Sequence, residues 1–172
     1  MNHPIFLIGF MGAGKTTVGQ LLAEELGVSF LDSDQEIEKQ VGQPIAEIFS
    51  DKGEEGFREI ESNWIENYGD QKAVIALGGG AFCSDRNREW IHKFGTSIYI
   101  KVSLATITER LMQDQTIRPL IANEIDDKEL LIKRVEDMLR SRESDYNQAM
   151  LVVDGDHAAF EVAALILDRI QN

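Results

Sequence analysis

Residues 9–16 read GFMGAGKT, with glycines at 9, 12 and 14 and a Lys-Thr pair closing the run. The spacing G-x-x-x-x-G-K-T asks for one kind of chemistry. Glycines let a loop turn tightly and aim successive backbone N–H groups into one concavity, which suits a phosphate chain. A helix that starts where such a loop ends adds partial positive charge at its N-terminus. Lys15 has the reach to meet β- and γ-phosphates, and the Thr16 hydroxyl is a fitting ligand for Mg²⁺. The pattern points to a nucleotide and leaves the reaction open. A Gly-rich turn between strand and helix is the plainer alternative.

Other residues must choose the reaction. Asp32 and Asp34 stand two apart in LDSD, at the end of an apolar run. Ligands of open α/β sheets gather at the carboxyl ends of strands, so both carboxylates should face a crevice. One could serve Mg²⁺ through water and the other orient a hydroxyl. Helix capping by Ser33 or Asp34 is the alternative. Gly78, Gly79 and Gly80 end another apolar run. Three glycines in a row suit a backbone against which a ligand presses, or a flexible turn. Arg58 has Glu54 at i−4 and Glu61 at i+3, so surface ion pairs are its simplest reading. Arg142 continues a stripe of Leu131, Val135 and Met138, where an inward arginine wants an anion unless it snorkels outward. Arg118 lies in a segment, residues 113–127, that has no apolar period and contains Pro119. A loop that long is often a lid, and an arginine on it could close over a transferring phosphoryl group or simply face solvent. Arg110 could cover a nucleotide base or sit on the surface.

These residues need a frame. Short apolar runs at residues 5–8, 28–31, 73–77, 97–102 and 150–153 read as strands. Helical patterns fall between them at residues 16–26, 34–41, 54–68, 85–93, 104–112, 128–145 and 157–170. Alternation of this kind predicts an α/β fold with a mainly parallel sheet covered on both faces.

The chain has 172 residues, enough for one domain with one core. Its net charge is −13, which argues against a nucleic-acid or anionic-membrane binder. Any anionic ligand must meet local positive charge. A single cysteine, Cys83, fits a reducing compartment and reads as a packing residue. The first residues show neither a basic leader nor an apolar span of membrane length, so a cytoplasmic protein is expected.

Taken together, GFMGAGKTT at 9–17, FLDSD at 30–34, GEEGFREIE at 53–61, LGGGA at 77–81, RPL at 118–120 and Arg142 within RSRESDYNQA resemble the shikimate kinase family. The resemblance covers nearly the whole chain. It implies a single kinase domain over residues 1–172, P-loop NTP hydrolase-like, with three α/β/α layers and a five-stranded parallel sheet in the order 2-3-1-4-5. It implies acceptor-binding helices within about residues 33–68 and a lid over about residues 113–127. The implied reaction is transfer of the γ-phosphoryl of ATP to the 3-hydroxyl of shikimate, in the pathway to chorismate and the aromatic amino acids, with Mg²⁺ as cofactor. By the resemblance, Lys15, Asp34 and Arg118 are catalytic, and Asp34, Arg58, Gly78, Gly79, Gly80 and Arg142 bind shikimate. Gly12, Ala13, Gly14, Lys15, Thr16, Thr17, Arg110 and Arg118 meet the nucleotide. Thr16 holds the metal, with Asp32 behind it through water. A monomer is the family's expectation. Two other readings compete: a P-loop kinase for gluconate or a nucleoside monophosphate, and a nucleotide-binding regulator without turnover.

Overall fold

The computed structural model describes residues 3–68, 72–113 and 128–171. Five strands form one sheet: β1 (Ile5–Ile8), β2 (Ser29–Asp32), β3 (Ala73–Ala76), β4 (Thr96–Lys101) and β5 (Leu151–Asp154). Their order is β2-β3-β1-β4-β5, and every pairing is parallel. The helices among the described residues are α1 (Lys15–Leu26), α2 (Ser33–Val41), α3 (Ile45–Tyr68), α4 (Asp85–Phe94), α5 (Leu104–Gln113), α6 (Lys128–Tyr146) and α7 (Ala159–Gln171). A 3-10 turn covers Ala81–Cys83. The expected three-layer fold and strand order are both found.

Burial explains why the central strands read as unbroken apolar runs. Every residue of β1 and β3 is buried, so neither face of the sheet centre meets water. Phe6 pairs with Ile75 on one side and Ser97 on the other. The chain leaves β1, crosses to the edge at β2, returns between them as β3, and then starts the other half at β4. The loop after β1 therefore sits where the strand order reverses, with the ends of β2 and β3 beside it. In open parallel sheets this switch point is where ligands bind.

Helix α3 departs from expectation. The pattern predicted a helix only over 54–68, whereas the structure starts it at Ile45. Ile45, Ile48 and Phe49 pack on the core with helical spacing, Ile48 completely buried. The start is capped from outside the segment, because Ile45 N–H donates to Glu38 Oε1 on α2 at 2.8 Å. A break remains at Gly53, with φ 71° and ψ −179°. That backbone region is essentially closed to residues with a Cβ.

The capping alternative is resolved in a third way. Neither Ser33 nor Asp34 caps α2; Asp32 does, accepting from Asp34 N–H at 3.2 Å and Gln35 N–H at 3.4 Å. Asp32 lies at the last position of β2, where its extended backbone lets the carboxylate fold back over the first turn. Ser33 Oγ instead accepts from Gly78 N–H at 2.9 Å, stitching α2 to the end of β3. The expected loop past Gln113, with Arg118, lies outside the described residues.

Substitution Gly53→Ala isolates the backbone cost of the break, because nothing lies within 4 Å of a Cβ placed there. It should destabilise the fold by about 1–3 kcal/mol in urea denaturation. An unchanged midpoint would mean that α3 straightens through residue 53 at no cost.

Candidate active site

At the switch point, the loop after β1 turns through Gly12 and Gly14 into α1. Gly14 is the residue before the helix and has φ 87°, a left-handed conformation that favours glycine. Lys15 Nζ donates to the carbonyls of Gly9 at 2.9 Å and Phe10 at 3.0 Å, so its ammonium lies over the loop. Arg110, on α5, donates to Gly12 O at 3.0 Å and ties that helix to the same loop. Thr16 Oγ1 donates to Asp32 Oδ2 at 2.9 Å, joining the starts of α1 and α2.

One crevice of about 490 Å³ runs from this loop to the end of β3. Gly12, Gly14, Lys15, Thr16, Thr17, Asp32, Asp34, Arg58, Gly78, Gly79, Gly80, Arg110 and Arg142 all line it. The structure thus brings together nearly every residue singled out from the sequence. Ala13 is the exception among those described. It is buried, and its N–H donates to Phe10 O at 3.1 Å within the loop. Arg118 lies outside the described residues.

The second half of the crevice is built on the three glycines. A Cβ on Gly78 would come within 2.6 Å of Asp34 Oδ1 and 2.8 Å of Glu61 Oε1. A Cβ on Gly80 would lie 2.7 Å from Arg58 Cζ. The bare backbone is occupied by the protein's own charged groups. Arg58 Nη1 donates to Glu61 Oε2 at 2.8 Å, and Nη2 to Glu54 Oε1 at 3.4 Å. The two expected ion pairs of Arg58 are therefore present, yet they differ in kind: Glu61 is fully buried and Glu54 is exposed. Arg142 Nη1 donates to Gly79 O at 3.4 Å, and its guanidinium lies 5.8 Å from the Phe10 ring centre. Arg142 turns inward to the site.

Burial and neighbouring charge set the titration of these groups. Burial raises the Asp34 carboxyl above its ordinary value; the Asp32 carboxylate adds to this, and Lys15 and Arg58 oppose it. Glu61 is pushed up to about 7 by burial, with Arg58 pulling the other way and Asp34 reinforcing the rise. For Arg58, burial works against the charge, but the charges and hydrogen bonds of Glu61 and Glu54 together outweigh it and raise its pKa. Cys83, half-buried, is pushed up to about 11 by burial, which suits an inert thiol.

Several site residues carried no chemical signal in the sequence. Glu61 looked like half of a surface pair, and only tertiary packing buries it. Tyr146 continues the Arg142 stripe at i+4 and donates its hydroxyl to Gly79 O. That spacing could have revealed it. Ile45, Phe49 and Phe57 form an apolar wall of the crevice.

The residues present fit Mg²⁺. The Thr16 hydroxyl and Asp32 carboxylate form an oxygen-only donor pair beside the loop. No cluster of three or more His, Cys, Asp or Glu poised for a metal occurs among the described residues. A metal that keeps its waters and takes phosphate oxygens needs no such cage.

A phosphate cradle that opens onto a second pocket, where Arg58 and Arg142 stand with Asp34 and Glu61, is the arrangement of a P-loop kinase, with room for a nucleotide at one end and a small acceptor at the other. Comparison with known proteins sharpens the class. A family model described as shikimate kinase matches residues 11–171. A shikimate kinase of Chlorobium luteolum is 42% identical over 156 residues, 88% of this chain and 77% of that one. One from Persephonella marina is 37% identical over 169 residues, covering 97% and 98% of the two chains. Among solved structures, shikimate kinase from Acinetobacter baumannii in complex with shikimate has a TM-score of 0.89 at 37% identity, over 98% of this chain and 93% of that one. The crystal structure of shikimate kinase from Bacteroides thetaiotaomicron has a TM-score of 0.88 at 31% identity, covering 98% and 97%. The chain belongs to the shikimate kinase family.

Glu61 makes the fold's stability depend on pH. Its folded pKa of about 7 stands above the ordinary 4.5, so the folded state favours the bound proton. That contribution is complete below 4.5 and is lost as pH rises through about 7. The neutral variant Glu61→Gln lacks it. The stability of the natural chain relative to Glu61→Gln should therefore fall as pH rises across that window, read by urea denaturation on both sides of it. A difference that does not change with pH would contradict the assignment.

Proposed function

We infer that this chain transfers the γ-phosphoryl group of ATP to the 3-hydroxyl of shikimate, giving shikimate 3-phosphate and ADP. The observation that carries the reading is one crevice with Lys15 and Thr16 at one end and Asp34, Arg58 and Arg142 at the other. A solved relative holds shikimate, which supports the acceptor. The working unit is one kinase domain over residues 1–172, with the phosphate loop at 9–17, acceptor helices within about 33–68 and a lid at about 113–127.

Each side chain has a task. Backbone N–H groups of residues 12–17 hold the phosphates, and Arg110 covers the base. Lys15 brings positive charge to the β- and γ-phosphates. Thr16 would hold Mg²⁺, with Asp32 behind it through water, and the ion supplies charge neutralisation at those phosphates. Arg58 and Arg142 bind the acceptor's carboxylate, for which the planar guanidinium fork is suited. Gly78, Gly79 and Gly80 line the acceptor. Asp34 accepts a hydrogen bond from the acceptor hydroxyl. It takes that proton as the new oxygen–phosphorus bond forms and the bond from γ-phosphorus to the bridging oxygen breaks. A carboxyl held above its ordinary pKa suits that role better than a fully solvated one. Arg118, on the lid, adds charge at the group in transfer.

No helix of the described residues is long and apolar enough to cross a membrane. The reading is of a cytoplasmic, monomeric enzyme that binds small molecules; its net charge of −13 speaks against binding nucleic acid.

ADP release from Mg-ATP should depend on shikimate and not respond to gluconate or a nucleoside monophosphate. ATP binding without shikimate-dependent release would discard the acceptor assignment. Arg58→Ala should raise the shikimate KM by about tenfold or more at nearly unchanged kcat, because a carboxylate contact binds ground and transition states alike. Asp34→Asn should lower kcat by about a hundredfold or more if the carboxylate moves the proton. Near-normal turnover in that variant would remove Asp34 from the chemistry. Lys15→Ala and Arg118→Ala should also lower kcat.

A further inference from the structure

Behind the glycine turn, away from the crevice, α4 presents a pair of buried polar side chains. Asn87 Nδ2 donates to Ala81 O at 2.8 Å, and Arg88 Nη1 donates to Phe82 O at 2.8 Å. Both acceptors belong to the 3-10 turn that follows Gly80. The turn is in register with the glycines, because Ala81 N–H donates to Gly78 O at 3.0 Å and Cys83 N–H to Gly80 O at 3.1 Å.

Arg88 does more than hold the turn. Its side chain is only 10% exposed, and it pairs with Asp85 on its own helix. It also reaches Asp145 on α6, with Nη1 to Oδ1 at 3.3 Å and the Asp145 side chain 25% exposed. Asp145 directly precedes Tyr146 and follows Arg142 by three residues. Both of those neighbours donate to Gly79 O. One guanidinium thus joins α4, the turn after the glycines and the end of α6. Another cross-link at this end of α6, Lys101 to Glu143 at 2.8 Å, is about half exposed on both sides and correspondingly weak.

We propose that Arg88 is a positioning residue for the acceptor pocket: its fork sets the end of α6 against the glycine turn and thereby aims Arg142 and Tyr146. The proposal rests on the acceptor reading given above. A buried arginine is a costly way to fill space, since an apolar side chain of similar volume often stabilises as well or better. Its distinctive property is a rigid set of donors that fixes several partners at once. Arg142 itself is held to Gly79 O by a long contact of 3.4 Å, so its aim depends on where the helix lies. A misplacement of about 1 Å in such a site can cost on the order of a hundredfold in rate or binding.

The test compares Arg88→Met, Asp145→Leu, Asp145→Asn and the Arg88→Met/Asp145→Leu double variant with the natural chain. It measures KM for shikimate, KM for ATP, kcat and thermal midpoint. Arg88→Met and Asp145→Leu should each raise the shikimate KM by about tenfold while the ATP KM stays within about twofold. Asp145→Asn keeps the acceptor oxygen and should remain near the natural value. The double variant should be no worse than the worse single one, because both changes cut the same link. A lower thermal midpoint with unchanged KM values would make Arg88 a stabilising clamp only and overturn the proposal. So would equal rises in both KM values. If Arg88→Met does not fold, the partly exposed Asp145 pair decides the question alone. A natural chain without shikimate-dependent ADP release would overturn the acceptor reading and this proposal together. Shikimate-dependent release with unaffected variants would overturn the positioning role only.

Discussion

Gly78 and Gly80 leave the backbone at the end of β3 bare, and charged side chains from two helices close over it. Asp34 comes from α2, and Arg58 and Glu61 from α3. A methyl group at either glycine would occupy the space these charges use. The carbonyl of Gly79 between them takes Arg142 and Tyr146 from α6. The pocket is therefore assembled around backbone, and the helices are held in place by what they do there. Ser33 adds to this by accepting from Gly78 N–H at 2.9 Å, so the start of α2 is fixed to the same turn.

This arrangement resolves the charge problem of a chain with net charge −13. Two anionic ligands need positive charge, and the overall field opposes them. The crevice gathers Lys15, Arg58, Arg110 and Arg142 in one place, where they offset the carboxylates of Asp32, Asp34, Glu38 and Glu61 that line it too. Low-dielectric surroundings strengthen each of these local interactions relative to water. The fully buried Glu61 takes one side of the Arg58 guanidinium at 2.8 Å, while the exposed Glu54 meets the other at 3.4 Å. The other oxygen, Glu61 Oε1, has no hydrogen-bond partner among the described residues. An unpaired buried oxygen costs stability, and here the cost falls on the group that holds Arg58 in place.

Local chemistry made much of this legible. The glycine spacing of residues 9–16 and the apolar strands each specify one structure, because their patterns arise from contacts close in sequence or from uniform burial. Helix 45–52 escaped because Glu38 on another helix caps it. The cap of α2 is Asp32 rather than Ser33 or Asp34, the capping alternatives the sequence offered, since Asp32 belongs to the strand and still reaches the helix N–H groups. Glu61 and Arg88 escaped for one shared reason. A glutamate three residues from an arginine, or an arginine three residues from an aspartate, has the pattern of an exposed helix pair. Only packing against other elements turns either into a buried group with a defined partner.

The two halves of the crevice solve different physical problems. The phosphate loop is nearly self-sufficient: backbone N–H groups, a helix terminus and Lys15 all come from one stretch of chain. The acceptor pocket has no such local source, and takes charged groups from α2, α3 and α6 plus the backbone after β3. Phosphoryl transfer through a loose transition state asks little covalent chemistry of the protein and much positioning. A hydroxyl must be held in line with the γ-phosphorus while water is kept away. A pocket assembled from several helices can meet that demand only if their relative placement is tightly set. The cross-links at its back, from Ser33 to Gly78 and from Arg88 to Phe82 and Asp145, lie where such placement is decided.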